Sequence, residues 1–222
     1  MLGTSSVRSV VVDWLTFERP LLEAGAVVAG IDEVGRGALA GPVAVGVTVL
    51  RRPTPPPAGL NDSKLLSATQ RERLVPAIAS WADDAAVGFA SAAEVDEVGI
   101  RAGLALAAQR ALRQLRVAPS FLLMDGKEDL LASGAPTVSP WRDLPHERLV
   151  GGDRRSAVIA GAAVLAKVAR DRLMRQLARA FPQYGWASNV GYGSPGHLAA
   201  IRDLGPTIVH RRSWHLPGAT RG

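Results

Sequence analysis

The stretch AVVAGIDEVGRGALAGPVAVGVTVL, Ala26–Leu50, consists of two apolar runs joined by a glycine-rich link. Valine and alanine dominate both runs, and glycine and proline bound them. Short β-branched runs with such borders read as β-strands, so this stretch is a strand pair with a glycine-rich connection. The first strand ends on two acids, Asp32 and Glu33, and Gly35-Arg36-Gly37 follows at once.

On either side the chain alternates strands with helices. Residues 1–24 read as a weakly ordered lead-in ending in a short helix. RRPTPPPAGLNDSK (Arg51–Lys64) is a surface loop, because its prolines forbid a regular element. Ser67 is a candidate N-cap for a helix over residues 67–82, which Pro76 should disturb or divide. Ala85–Ala92 reads as a strand, and Ile100, Leu104, Ala108, Leu112 and Leu115 recur at helical spacing between Glu94 and Arg116. Phe121–Gly126 is a short buried strand ending in Asp125, and Glu147–Asp153 again runs from strand to acid. Ser156–Phe181 is a long helix with an apolar stripe of Ile159, Ala163 and Ala166. A loop with glycine and tyrosine follows, then a short helix near Pro195–Leu204 and a basic tail. Mixed strands and helices indicate an α/β domain on one sheet. The expected division is a lead-in (1–24) and a single domain (25–222), with a C-terminal helical part at about 182–222.

The chain of 222 residues is 47% apolar and 21% charged, ordinary values for a soluble globular protein. It has no cysteine, which excludes a disulfide framework or thiolate metal site. The N-terminus lacks a secretory pattern, since Asp13 interrupts a short apolar run, and no stretch is long enough to cross a bilayer. A cytoplasmic protein without membrane partners is the expectation. Net charge is +6, unevenly spread: residues 1–153 carry 15 basic and 18 acidic side chains, residues 154–222 carry 11 and 2. A strongly basic last part suggests a partner rich in phosphate, although it would also serve as a solubilising surface.

Asp32, Asp125 and Asp153 share a placement at the ends of apolar runs. One such acid is usually a turn or helix cap. Three on one sheet can converge, and packed together they would raise one another's pKa. Divalent cations remove that conflict, and oxygen ligands suit Mg²⁺ or Mn²⁺. Two ions about 3.5–4 Å apart serve phosphodiester chemistry, so metal-assisted phosphoryl transfer is the reading of the residues. The Gly35-Arg36-Gly37 backbone can approach a ligand closely. In the Asp62-Ser63-Lys64 loop, Lys64 can hold a phosphate and Ser63 donate a hydrogen bond.

GIDEVGRGALAGPV, NDSKLLS, LLMDG, GDRRSAVIAGAAVLAKVARDRLM, YGWASNVGYGSPGH and VHRRSW stand in the order of the bacterial ribonuclease HII motifs. The resemblance runs from about Gly30 to Trp214. It implies a ribonuclease H-like fold, a central mixed five-stranded sheet flanked by helices with a C-terminal helical extension. It further implies two divalent ions, Mg²⁺ or Mn²⁺, held by Asp32, Glu33, Asp125 and Asp153. A ribonucleotide joined to DNA would be recognised through Gly35, Arg36, Gly37 and Tyr192, the tyrosine packing on a deoxyribose while backbone groups read the 2′-OH. The implied partners are RNA–DNA hybrids and DNA containing ribonucleotides, cut 5′ to the ribonucleotide to leave 3′-OH and 5′-phosphate ends. A monomer is the family expectation. Departures are Gly151 where a lysine is common, Asn189-Val190 where His-Lys is usual, and an insertion around Pro136–Pro145.

Alternatives are another ribonuclease H-like nuclease, a non-catalytic duplex-binding module, and a small-molecule phosphoesterase that would leave the basic C-terminal part unexplained. His197, His210 and His215 read as structural, because no motif pairs them with a nucleophile. Arg211 and Arg212 are candidates for phosphate contact or for a solvated tail. The five tryptophans read as packing, and LPGATRG does not provide an obvious sliding-clamp peptide.

Overall fold

The computed structural model describes residues 13–131 and 140–218. Residues 1–12, the terminal ATRG and part of the insertion near 136–145 lie outside the described residues. One five-stranded sheet organises the molecule, with β1 (Val28–Val34), β2 (Val43–Leu50), β3 (Asp84–Ala90), β4 (Phe121–Asp125) and β5 (His146–Leu149) in the order β3-β2-β1-β4-β5. The pair expected in Ala26–Leu50 is antiparallel, with Val28 opposite Leu50 and Val34 opposite Ala44. β3 continues the antiparallel side, whereas β4 and β5 run parallel to β1.

Helices cover both faces, which is why β2 is buried along all eight residues. α3 (Ala92–Gln114) packs Leu104, Ala108 and Leu112 against Ala29, Ile31 and Val45. On the other face α4 (Ala157–Ala180) lays Val158, Ile159 and Val164 over Val28, Leu50 and Leu123. α4 lies close because the sheet offers it glycines: a Cβ on Gly30 would stand 2.2 Å from the Val158 carbonyl carbon, and one on Gly46 2.1 Å from the Ala162 oxygen. Thr48 Oγ1 donates to Val158 O at 2.5 Å, adding a polar tie in this layer.

Four expectations are corrected. Pro76 neither divides nor ends α2 (Ala68–Trp81); it sits on the exposed face, where water can satisfy the Glu72 carbonyl whose donor it removes. The helix 92–114 instead breaks its geometry at Gly99 (φ 81°, ψ 162°). The run 147–153 is not strand to its end, because β5 stops at Leu149 and Asp153 lies in a 3-10 turn, Gly152–Arg154. The lead-in ends in a short helix as expected, α1 (Glu18–Glu23), but its residues 13–24 pack on the core, with Leu15 and Leu22 buried beside Ala157 and Val158. Glu18 Oε1 there accepts from Ser156 Oγ at 2.7 Å and Val158 N at 3.1 Å, which places a carboxyl group at the start of α4.

After α4 come a 3-10 turn (Pro182–Tyr184), α5 (Trp186–Asn189) and α6 (Pro195–Leu204). Met174, Tyr184, Trp186, Ile201 and Leu216 form a third apolar cluster there. Among the described residues no helix is long and apolar enough to cross a membrane.

Candidate active site

Side chains alternate along a strand. Val28 and Gly30 of β1 face α4 while Ala29 and Ile31 face α3, so Asp32 emerges on the α4 side and Glu33 on the α3 side. β4 repeats the pattern: Leu123 packs under α4, and Asp125 follows two residues later on that face. The parallel register pairs Ile31 with Met124, which makes Asp32 and Asp125 the next neighbours along the two strands. Asp153 arrives from the turn that opens α4. Gly151 (φ 66°) turns the chain, and Gly152 N–H donates to Asp125 Oδ1 at 2.7 Å.

One carboxylate oxygen from each of Asp32, Asp125 and Asp153 lies within 4.8 Å of the others. Burial pushes the Asp32 carboxyl well above its usual range, and the charges of Glu33, Asp125 and Asp153 push it further. Burial, then Asp125 and Asp62, raise Asp153, with Lys64 opposing. Asp153 Oδ2 is buried and accepts no hydrogen bond, facing Lys64 Nζ at 3.5 Å. Converging oxygens, mutual repulsion and an unsatisfied buried oxygen are what a hard divalent cation would relieve, so these residues fit such an ion.

Glu33 stands outside this group of three. Its Oε1 faces Arg36 Nη1 at 3.7 Å, and burial, opposed first by Arg36, raises its pKa. Lys64 is at the rim, its side chain 73% exposed. Ser63 is buried, and its carbonyl accepts from Arg71 at 2.7 Å. Asp62, given no role from sequence, is fully buried; it accepts Lys64 N–H at 2.8 Å and Arg154 Nε at 2.9 Å, tying the Lys64 loop to the Asp153 turn. Only the tertiary pairing with Arg154, 92 residues away, reveals it.

Gly35-Arg36-Gly37 and Tyr192 are brought together. Leu39 N–H and Ala40 N–H both donate to Gly191 O, at 2.8 and 3.2 Å. The Arg36 side chain is held by Glu128 at 2.7 Å. The N–H groups of Arg36 and Gly37 meet no acceptor among the described residues, and Gly37 is exposed. Tyr192 is 38% exposed, with the Arg170 guanidinium 5.6 Å from its ring centroid. Asn189, one of the departures, shapes this turn: its Oδ1 accepts Gly191 N–H at 2.9 Å and its Nδ2 donates to Tyr184 O at 2.7 Å.

His197 and His210 are buried and structural, as expected. Trp186 Nε1 donates to His197 Nε2 at 3.0 Å, and His210 Nε2 lies 3.1 Å from the same atom. His215 is exposed. Arg211 is not on a solvated tail: its side chain is wholly buried, and only Arg212 reaches solvent.

A family model described as Ribonuclease HII matches residues 29–216. A Ribonuclease HII of Streptomyces avermitilis is 45% identical over 190 residues, covering 85% of this chain and 76% of the relative. One of Geobacillus thermodenitrificans is 45% identical over 201 residues, covering 90% and 73%. The crystal structure of the ribonuclease H2 from Pyrococcus horikoshii superposes with a TM-score of 0.66 at 26% identity, over 85% of this chain and 94% of that one. Bst-RNase HIII, solved in complex with Mn²⁺, has a TM-score of 0.60 at 19% identity over 82% and 63%, a likeness of fold alone.

Proposed function

The chain belongs to the ribonuclease HII family, and on that premise we propose that it is an endonuclease cutting the RNA strand of RNA–DNA hybrids and the 5′ side of ribonucleotides embedded in duplex DNA. The observation that carries this reading is the group of three carboxylate oxygens within 4.8 Å, with Asp153 Oδ2 buried and unsatisfied. Two divalent ions, Mg²⁺ or Mn²⁺, would supply there the Lewis-acid charge and water activation that phosphodiester hydrolysis to 3′-OH and 5′-phosphate ends requires. Asp32, Asp125 and Asp153 would hold them, and Glu33, whose side chain leaves the opposite face of β1, would complete the set at the end of that strand.

Placement supports the remaining roles. Lys64, exposed beside Asp153, meets a backbone phosphate, and buried Ser63 holds its loop. The N–H groups of Arg36 and Gly37, unpaired among the described residues, would face the 2′-OH, and the half-exposed Tyr192 ring would pack on the adjoining deoxyribose. Residues 25–222 act as one catalytic unit, with residues 13–24 packed on it. The protein is proposed to work as a monomer in the cytoplasm, which light scattering and cell fractionation would test.

The deciding experiment incubates a DNA duplex containing one ribonucleotide with the protein plus Mg²⁺, Mn²⁺ or EDTA. A metal-dependent cut 5′ to the ribonucleotide, absent from an all-DNA duplex, is the expected result. Silence on this duplex and on a continuous hybrid, from folded protein, would replace the reading with a non-catalytic duplex binder.

A further inference from the structure

Arg170 and Arg211 are both wholly buried, and neither forms an ion pair among the described residues. Burying a cation without an anion is costly unless its donors are all used well. Burial holds both guanidinium groups below their ordinary value, and the Arg170 charge helps bring Arg211 to about 10. Arginine keeps its charge in proteins, so the Arg170 guanidinium repels that of Arg211. That cost is offset by carbonyl oxygens. Arg170 donates to Pro42 O at 2.8 Å, Val190 O at 2.9 Å and Ala40 O at 3.1 Å. Arg211 donates to Gly35 O at 2.6 Å, Arg36 O at 2.7 Å and Gly41 O at 3.2 Å.

These carbonyls belong to the segments just assigned to ribonucleotide recognition and the turn that joins them. Gly35 (φ +86°) rests directly on Arg170, since a Cβ there would lie 2.1 Å from its Nε. The Arg170 guanidinium also supports the Tyr192 ring. With the carbonyls drawn inward, the Arg36 and Gly37 N–H groups remain unpaired among the described residues. The acids have other supports, namely β1, β4 and the Gly152–Arg154 turn.

We propose that Arg170 and Arg211 are specificity-positioning residues, two buried forks that lock the Gly35–Gly37 loop and Tyr192 into one preformed ribonucleotide-reading surface. This rests on the recognition role proposed above for that surface. Lysine cannot replace either fork, because one ammonium cannot span carbonyls that a planar guanidinium bridges.

Arg211→Lys and Arg170→Lys should be compared with wild type on two substrates, the single-ribonucleotide duplex and a continuous RNA–DNA hybrid. Using both with one preparation cancels the folded fraction. Both rates should fall, but the embedded-ribonucleotide rate at least ten times further, mostly through KM. Equal losses on both substrates would make the arginines merely structural and overturn the proposal. A wild type that cuts the hybrid and ignores the embedded ribonucleotide would instead overturn the recognition reading, and this proposal with it. Should both variants fail to fold, amide hydrogen exchange on wild type without substrate decides. Slow exchange at Leu39, Ala40 and Gly41 is expected from a preformed loop, and exchange at unstructured rates would overturn it.

Discussion

Asp153 shows at the scale of one side chain how a site can work against its own fold. Its Oδ2 is buried without a hydrogen bond, beside the carboxylates of Asp32 and Asp125, with one exposed lysine opposite. Asp153→Asn removes a negative charge from this group while keeping shape. In EDTA at neutral pH the variant should be more stable than wild type by about 1–2 kcal/mol, a moderate repulsion at an effective dielectric near 20. Adding Mg²⁺ should stabilise wild type more than the variant, because a ligand that binds only the folded state stabilises it by mass action. Cleavage by the variant should be lost almost entirely. Thermal melts with EDTA and with Mg²⁺ check the first two expectations; a variant less stable than wild type in EDTA would mean that Lys64 already neutralises the cluster.

At the scale of elements, the contact between β1 and α4 matters most, since it carries Asp32 on one side and leads into Asp153 on the other. Gly30 permits that contact, and an added Cβ would meet backbone atoms of Val158 and Ile159 at 2.2 and 2.5 Å. A backbone cannot move aside as a flexible side chain can. Gly30→Ala should therefore cost about 3 kcal/mol in urea unfolding and also weaken Mg²⁺ binding, because α4 must shift together with the turn before it. A loss below about 0.5 kcal/mol would contradict the close packing. The C-terminal elements hold a second testable contact. His210 Nδ1 accepts Thr207 N–H at 2.9 Å, and His197 Nδ1 lies 2.8 Å from Tyr192 O, so both rings are built into the fold as neutral groups. Burial, then the neighbouring His197 and Arg212, bring His210 down to about 4. In that case the unfolded chain takes up a proton near 6.5 and the folded one only near 4. Stability from this group is therefore present above 6.5 and lost as pH falls towards 4. Relative to His210→Gln, wild type should lose about 3 kcal/mol across that window, measured by urea unfolding at stepped pH; parallel curves would remove His210 from the network.

Over the whole molecule, the basic character of residues 154–222 overstates the charge available to a duplex. Arg170 and Arg211 point inward, Arg154 is paired with Asp62, and Arg172 and Arg175 share Glu72. Binding should still weaken with salt, with a slope of about 0.9 per phosphate contact. Four contacts would give roughly a hundredfold loss between 50 and 200 mM salt, read by fluorescence anisotropy with Asp153→Asn. Affinity independent of salt would contradict a phosphate-facing surface.

Much of this protein was legible from local chemistry. Val43–Leu50 reads as a strand, Ser67 is an N-cap, Asp125 ends β4 where its apolar run stops, and Asp32 lies near the end of β1. Those features depend on neighbours within a few residues, which a sequence displays directly. Tertiary structure decided the rest. It set Glu33 apart from the other three acids, because consecutive strand residues face opposite ways and only the packing shows which face holds the site. It turned Arg211 from a surface candidate into a buried support, and it gave Asp62 an essential partner in Arg154. A charged side chain spells the same in solvent and in a core. Its environment comes from segments far along the chain, here 92 and 176 residues away, and folding alone brings them together.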